Sequence, residues 1–212
     1  MGEPPSDGLR ERKRQRTRHA LEDAALRLFS TQGFAQTPVS RIAEQAEVST
    51  RTFFHHFPTK EDVVLAAYER RLASLVDLLA ERPWDEPPLT ALRSSLLAVA
   101  EDYQRDRHQL LERARLIAAN TSIHARSLEL QSRWEERIAA TVAHRLDVEV
   151  EHDLRPRLLA AITFAAMRVA QRRWLHDDGA TALPQLVAEA LDLLERGLAE
   201  PGSVDQAPDR EP

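Results

Sequence analysis

The stretch that most constrains this chain is residues 37–60, TPVSRIAEQAEVSTRTFFHHFPTK. Its first half carries apolar residues at helical spacing, and Thr37 and Pro38 suit the N-cap and the first position of a short helix. Ser49 offers a second N-cap, and Pro58 stops the helix that follows. Two short helices joined by a tight turn leave the second free to lie in a major groove, so the pattern predicts a helix-turn-helix.

The residue types of the second helix suit the reading of DNA. Phe53 and Phe57 are four residues apart, and we expect them to anchor the helix inward. The other side chains can hydrogen-bond to phosphates or base edges. They are Thr50, Arg51, Thr52, His55 and His56. The alternative interpretation is a solvated helix with two buried aromatic residues.

The run SRIAEQAEVSTRTFFHHFPTKEDV resembles the TetR family of bacterial transcriptional regulators, and the resemblance covers roughly residues 15–65. In that family the second helix reads the major groove, its neighbours hold phosphates, and a Lys after the Phe-Pro turn contacts the DNA backbone. Carried over by position, the resemblance implies phosphate contacts by His56 and Lys60. The full set of implied DNA-binding residues in and around the motif is Thr37, Ser40, Arg41, Ser49, Thr50, Arg51, Thr52, His55, His56 and Lys60.

The chain departs from the family's pattern at two positions. Glu47 stands where the family usually has Gly, so a positive φ in the turn would cost on the order of 1 kcal/mol. Glu47 also places a negative charge near DNA. Phe54 stands where the family usually has Tyr, so a hydroxyl that could bind a phosphate is missing.

Positive charge is concentrated in and before the motif. Residues 1–60 hold 10 Lys and Arg against 7 Asp and Glu, whereas the remainder holds 19 against 27. A basic run from Arg10 to Arg18 is usually a solvated tail or helix face. Because it precedes a helix-turn-helix, we interpret it as an arm or helix end that meets phosphates or the minor groove, with Arg14 and Arg18 as candidate contacts.

Helical periodicity without strand alternation predicts an all-α fold of about nine helices in two domains. We expect a disordered tail over residues 1–8, a DNA-binding domain over 9–60, a larger helical domain over 61–198 and a second tail over 199–212. The first full helix is expected at 17–32, ending at Gly33, and a connecting helix capped by Thr59 is expected to end near residue 81. After a break at RPWDEPP, five helices are expected at about 89–105, 108–119, 122–146, 154–176 and 181–198.

In the TetR family the last two helices pair with a second copy of the chain. The resemblance therefore implies a homodimer, as a two-fold symmetric operator also requires. The alternative is that the apolar sides of these two helices face the core of a single chain. The residues expected at the dimer interface are Leu158, Ile162, Ala165, Val169, Leu186, Val187, Ala190 and Leu194.

The family also holds a small-molecule pocket among its middle helices. The candidate lining residues here are Tyr103, Arg113, Arg115, Asn120, Trp134, Phe164 and Arg168. The run that includes RARLIAANTSIHAR resembles a TetR subgroup described as binding acyl-CoA-like ligands. Several Arg residues near an apolar cavity suit an anionic ligand with an apolar part.

Other functional classes find little support. The chain contains no Cys, which excludes disulfides and thiolate chemistry, and the adjacent His55 and His56 are poorly spaced for a metal. No GxGxxG, GxxxxGK[ST], Gly-x-Ser-x-Gly or HExxH motif occurs, so we predict neither an enzyme nor a bound cofactor. No run of eighteen apolar residues is present, and we expect a cytoplasmic protein that lies on the nucleoid when bound to DNA.

The sequence thus predicts a homodimeric, ligand-responsive transcriptional repressor that binds a palindromic site in double-stranded DNA. The alternative is a helical ligand-binding or adaptor protein without operator-specific DNA binding. That alternative would explain residues 61–198 but not the first sixty residues.

Overall fold

The computed structural model describes residues 6–196, which form nine α-helices and no β-strand. The all-α fold predicted from the sequence is confirmed. Residues 1–5 of the first predicted tail and all of the second lie outside the described residues. The helices are α1 (Ser6–Gln32), α2 (Val39–Gln45), α3 (Thr50–His56), α4 (Lys60–Glu81), α5 (Pro88–Arg105), α6 (Arg107–Ala119), α7 (Thr121–Leu146), α8 (Leu154–His176) and α9 (Leu183–Glu195).

Helix α1 is longer than predicted at its N-terminal end. We expected a first full helix from Thr17, but α1 begins at Ser6, so the basic run belongs to the helix rather than to a separate arm. Long charged side chains lose little rotamer freedom in a helix, and Gln15 donates to Glu11 one turn earlier. The prediction failed because this part of α1 is exposed and has no apolar periodicity to reveal it.

The first three helices form a small unit around buried apolar side chains. Helix α1 packs on α2, and α2 packs on α3. Gly33 ends α1 with a φ of 85°, as its sequence position predicted. The buried residues include Leu21, Phe29, Ile42, Phe53 and Phe57.

Helix α4 connects this unit to the larger domain. It begins with a capping box in which Thr59 and Asp62 each bind the other's backbone N–H, and one of its faces packs on α1. Along its length α4 also packs on α5 and α7, while α8 packs on α7 and α9. The predicted break at RPWDEPP is confirmed, and Arg145 of α7 fixes this loop by donating to backbone carbonyls such as those of Arg82 and Glu86.

The buried apolar side chains of both domains join into one core that runs from Leu21 to Leu191. A shift in the larger domain can therefore reach the small unit through packed side chains. Within residues 6–196, no helix is long and apolar enough to span a membrane.

Candidate nucleic-acid interface and interior cavity

Helix α3 is positioned by one cap and two aromatic anchors. The Ser49 hydroxyl accepts a hydrogen bond from the Thr52 backbone N–H at 3.0 Å, which confirms the predicted cap. Phe53 and Phe57 are 0% and 1% exposed, so the prediction that they point inward is also confirmed. The opposite side of α3 is thereby presented to solvent. The predicted contacts Thr50, Arg51 and His55 are exposed there, with Thr52 and His56 partly exposed beside them.

Phe54 lies on the same exposed side of α3. Positions 50, 51, 54 and 55 follow helical spacing, and Phe54 is 52% exposed. Its ring meets that of Phe53 edge-on, with centroids 5.4 Å apart. Sequence reasoning treated Phe54 only as a missing hydroxyl, but its position among the polar residues makes it a candidate for apolar contact with a thymine methyl group.

The turn between α2 and α3 does require a positive φ at Glu47. Glu47 has a φ of 56°, and the backbone N–H of Val48 returns to the Ala43 carbonyl at 2.9 Å. This is the left-handed conformation that Gly adopts without steric cost. The concern raised by Glu47 in the sequence is therefore justified by the structure.

Thr37 does not have the role predicted for it. Its side chain is 0% exposed, and its hydroxyl donates to the Gly33 carbonyl at 2.8 Å. The N-cap of α2 is Pro38, and no side chain caps this helix. Thr37 is thus turned into the loop after α1 and is withdrawn from any DNA contact. Ser40 and Arg41 are exposed near the start of α2, where Arg41 donates to Glu44 at 2.7 Å.

Lys60 is occupied within the protein. Its Nζ donates to the carbonyls of Phe34 at 2.7 Å and Thr37 at 3.0 Å, and it lies 4.2 Å from the centroid of the Phe34 ring. An ammonium group has three N–H donors, so one is left for another acceptor. The main contacts of Lys60 hold the loop before α2, and its role as a phosphate contact stays a prediction that rests on the remaining N–H.

The two arginines predicted on α1 differ in accessibility. The Arg14 side chain is 61% exposed, and its contact with Glu11 is a long ion pair of 3.8 Å, so the guanidinium is available at the surface. The Arg18 side chain is 24% exposed, pairs with Glu22 and Glu69, and stacks 4.6 Å above the Phe57 ring. Arg18 therefore packs on the aromatic residue that follows α3, and its assignment as a DNA contact stays a prediction.

His56 is partly buried at the end of α3. Its Nδ1 atom has no hydrogen-bond partner within residues 6–196. Burial lowers the pKa of His56 from its ordinary value, and the positive charges of His55, Arg14 and Arg18 lower it further. The neutral imidazole is therefore favoured near pH 7, and it offers a single N–H to a phosphate.

A second candidate site is a cavity of about 190 Å³ that is lined by residues of α4, α5, α6, α7 and α8 and opens to solvent beside exposed residues such as Leu128. Four of the predicted ligand-binding residues lie on its wall: Tyr103, Arg113, Phe164 and Arg168. Apolar side chains such as Val64, Leu110 and Met167 form much of the remaining wall. A smaller void of about 20 Å³ adjoins the cavity and shares Tyr68, Tyr103, Phe164 and Met167 with it.

The other three predicted pocket residues lie elsewhere. Arg115 is exposed and pairs with Asp178 at 2.6 Å. The Asn120 side chain donates to the Leu116 carbonyl at 2.8 Å and so ends α6. Trp134 is buried in the core with Arg137 stacked 4.1 Å from its ring centroid. These three residues were predicted to line the pocket from their type alone, but the side of the helix that each one occupies decides whether it reaches the cavity.

Sequence reasoning also missed several polar residues on the cavity wall, namely Tyr68, His124, Ser127, Gln131, Gln171 and Trp174. A usable pattern existed on α8, because Phe164, Arg168, Gln171 and Trp174 recur every three or four residues. Burial raises the pKa of Tyr68, and it raises that of Tyr103 to about 12. Both phenols are therefore neutral hydrogen-bonding groups at pH 7.

The outer sides of α8 and α9 leave apolar side chains in solvent. Leu158 and Val169 are each 58% exposed, and Leu193, which was not predicted, is 44% exposed. Ile162, Ala165, Ala190 and Leu194 are partly exposed. Leu186 and Val187 are instead 9% and 0% exposed in a single chain. Val187 faces the core of its own chain, which contradicts its predicted place in a dimer interface. Leu186 also lines the outer groove between α8 and α9, so its place there stays a prediction.

Comparison with known proteins agrees with this architecture. The family described as "Bacterial regulatory proteins, tetR family" matches residues 21–67, and the family described as "MftR C-terminal domain" matches residues 86–199, more than half of the chain. The transcriptional regulator TcmR of Streptomyces glaucescens is 35% identical, over 90% of this chain and 88% of that protein. The putative mycofactocin biosynthesis transcriptional regulator MftR of Mycobacterium tuberculosis is 29% identical, over 92% of this chain and 97% of that protein.

A solved structure shares the same arrangement of helices. The transcriptional repressor FadR of Thermus thermophilus, crystallised with lauroyl-CoA, is 25% identical to this chain with a TM-score of 0.54. The match covers 92% of this chain and 100% of that one. The proteins to which this chain is similar are thus transcriptional regulators and not enzymes.

Proposed function

Because the chain belongs to the TetR family of bacterial transcriptional regulators, we propose that it is a homodimeric repressor of a palindromic operator, released by a small-molecule effector. The observation that carries the DNA-binding half of this proposal is the exposed side of α3. Thr50, Arg51 and His55 project there from a helix fixed by Ser49 and two buried aromatic residues. Such a rigid, solvent-facing helix fits a major groove.

Roles within the DNA interface follow from accessibility. Arg51 is exposed, and its planar guanidinium can bind the O6 and N7 atoms of a guanine. Arg14, Ser40 and Arg41 are exposed on α1 and α2, where phosphate contacts would orient the protein on the duplex without reading its sequence.

The exposed apolar sides of α8 and α9 support the homodimer. Leu158, Val169 and Leu193 would bury substantial apolar surface against a second copy. The groove between these helices also contains Ala190, whose small side chain allows the close approach of another helix. Two copies related by a two-fold axis would present two α3 helices to the two halves of a palindrome.

The cavity supports a small-molecule effector. Its apolar wall with a few polar groups is typical of ligand sites. The lauroyl-CoA bound to the Thermus thermophilus FadR makes an acyl-CoA a reasonable first candidate for this chain as well. Bound effector would favour a dimer conformation whose two α3 helices no longer match the spacing of the half-sites.

The test of DNA recognition is selection of duplexes from a random pool by the purified protein at physiological salt, followed by sequencing. We expect recovery of a palindrome with two half-sites one helical turn apart, or a multiple of that spacing. Recovery of nothing above background from ligand-stripped protein would overturn the proposal and favour the adaptor alternative.

Two arginine variants sharpen this test. Arg51→Ala should relax the preference at one position in each half-site, at a cost of about 1–3 kcal/mol in discrimination. Arg133→Ala is the matched control, because Arg133 is exposed on α7 of the larger domain. Equal effects of the two variants on the selected palindrome would contradict the role given to α3.

A further inference from the structure

Glu22 of α1 is a buried carboxylate surrounded by three guanidinium groups. It is 2% exposed and accepts hydrogen bonds from Arg70 of α4 at 2.7 and 2.9 Å. Arg18 of α1 lies 3.6 Å from it, and Arg113 of α6 lies 3.7 Å from it. This cluster, Glu22 with Arg18, Arg70 and Arg113, connects the helix that begins the DNA-binding unit to two helices of the larger domain.

Arg113 belongs to both the cluster and the cavity. It is 6% exposed and lies on the cavity wall, while its Nη2 faces Glu22. Its Nη1 atom is buried and has no hydrogen-bond partner within the described part of the chain. A buried guanidinium donor without an acceptor is costly, and a ligand that brought an acceptor to Nη1 would remove that cost.

Glu22 is the one carboxylate among residues 6–196 that lies within 4 Å of all three guanidinium groups. Glu69 lies 3.8 Å from Arg18, and Asp23 and Asp102 attract Arg113 and Arg70 from farther away. The neighbouring Arg71 is neutralised differently, because it pairs with Asp102 at 2.9 Å and Asp106 at 2.8 Å. Arg113 is the most buried of the three guanidinium groups around Glu22, since the side chains of Arg18 and Arg70 are 24% and 44% exposed, and it is the one that borders the cavity.

We propose that the cavity takes an organic anion with an apolar body, and that Arg113 binds its anionic group and relays its presence to α1 by releasing Glu22. The proposal rests on the function proposed above and names both the effector class and the route of regulation. The route runs from the effector to Arg113 of α6, then to Glu22 of α1, and then to the DNA-binding unit.

The geometry favours this exchange. At 3.7 Å the Arg113–Glu22 contact is an ion pair without a hydrogen bond, and Glu22 is already bound in bidentate fashion by Arg70. An anion within hydrogen-bonding distance of Nη1 would interact more strongly with Arg113 than Glu22 does. After the exchange α1 stays attached to α4 through Arg70, but its tie to α6 is lost, so α1 can move relative to the cavity wall.

Three probes of equal chain length test the effector class by calorimetry on the full-length protein without DNA. Laurate carries a carboxylate, lauroyl-CoA carries a thioester with phosphates, and 1-dodecanol is neutral. We expect at least one anionic probe to bind at least about tenfold more tightly than dodecanol. Binding of laurate would show that a carboxylate suffices, and binding of lauroyl-CoA alone would assign the anion to its phosphates. Equal affinity for all three probes, or no binding of either anion, would overturn the proposal.

Variants test the relay itself. Glu22→Gln removes the charge that competes for Arg113 without changing the cavity wall, so the anionic probe should bind about fivefold more tightly or better. Glu69→Gln is the control, because it removes a half-exposed carboxylate that contacts Arg18 but not Arg113. Arg113→Lys should weaken binding of the anionic probe at least about tenfold and leave binding of dodecanol unchanged. Lys keeps the charge but cannot reproduce the fork of donors of a guanidinium group. Equal tightening in both Gln variants, or none in Glu22→Gln, would overturn the relay.

Operator binding by the same protein preparations separates this inference from the proposed function. Wild-type protein that binds the anion but selects no operator would refute the proposed function while leaving the calorimetric result on Arg113 and Glu22 intact. The inference alone would be refuted if the wild-type protein selects an operator but binds dodecanol as tightly as the anions, and if Glu22→Gln does not tighten binding of the anionic probe.

Discussion

At the scale of single residues, Glu47 provides a direct test of the turn geometry. Its φ of 56° places a Cβ-bearing residue in the left-handed region, where Gly has no steric cost. We predict that Glu47→Gly raises the free energy of unfolding by about 1 kcal/mol, measured by urea denaturation. Glu47→Ala keeps the Cβ and should give little of this gain. A loss of stability in Glu47→Gly would mean that the turn does not adopt this conformation in solution.

A variant at Lys60 distinguishes a structural role of this side chain from a role in binding phosphate. Its hydrogen bonds to the carbonyls of Phe34 and Thr37 predict that Lys60→Ala lowers the free energy of unfolding by about 1.5–3 kcal/mol. A residue acting purely on DNA would instead leave stability unchanged and reduce the salt slope of operator binding by about 1. Denaturation and salt titration of this variant decide between the two roles.

His56 predicts a dependence of stability on pH. Its pKa is lowered in the folded protein, so the unfolded chain takes up a proton at this position first as the pH falls through the ordinary value of 6.5. Stability should therefore fall between about pH 7.5 and pH 5.5, and this fall should be smaller in His56→Gln. The comparison variant is His19→Gln, at an exposed position on α1. Equal pH dependence in wild type and His56→Gln would contradict the burial of this imidazole.

Residue roles could be predicted from the sequence where they depend on local pattern. The caps at Ser49 and Thr59 and the inward direction of Phe53 and Phe57 follow from spacing within a few residues. The inward turn of Thr37 also depends on a contact within a few residues, because its hydroxyl donates to the Gly33 carbonyl four residues earlier, but a Thr suits an N-cap and such a loop contact equally well. Residue type alone could not reveal such contacts.

At the scale of helices, apolar periodicity predicted most of the boundaries well. Helix α8 was expected at 154–176 and spans Leu154–His176. The stripe on α9 was less informative, because Leu186 and Val187 pack in their own chain while Leu193 is exposed. A helix that is apolar on more than one side gives no indication in its sequence of which side meets the core and which side a partner covers.

The exposed side of α8 leads to a prediction about assembly. Val169→Glu places a charge at a position that is 58% exposed in the single chain, so the fold should be retained. We expect this variant to sediment as a monomer and to bind the operator on the order of 100-fold more weakly, because the linked second half-site is lost. Trp84→Glu is the control, since Trp84 is equally exposed but lies outside α8 and α9. An unchanged sedimentation coefficient for Val169→Glu would contradict the proposed interface.

At the scale of the whole molecule, a DNA-binding unit and a cavity share one continuous core. The unit is joined to the cavity wall by α4 and by the ion pair between Glu22 and Arg113. The helix-turn-helix motif predicted the DNA-binding unit, and the resemblance to the TetR family implied the cavity. The buried cluster between them escaped prediction, because its charged residues come from three helices far apart in the sequence, and nothing local marks Glu22 as buried.

The proposed function requires that occupancy of the cavity and binding of the operator oppose each other. The most direct measurement is the affinity of the protein for its selected operator, by fluorescence anisotropy, with and without saturating lauroyl-CoA. We predict that lauroyl-CoA raises the operator dissociation constant about 5–150-fold. Operator DNA should weaken the binding of lauroyl-CoA by the same factor. Lauroyl-CoA that binds the protein while leaving the operator affinity unchanged would contradict the account.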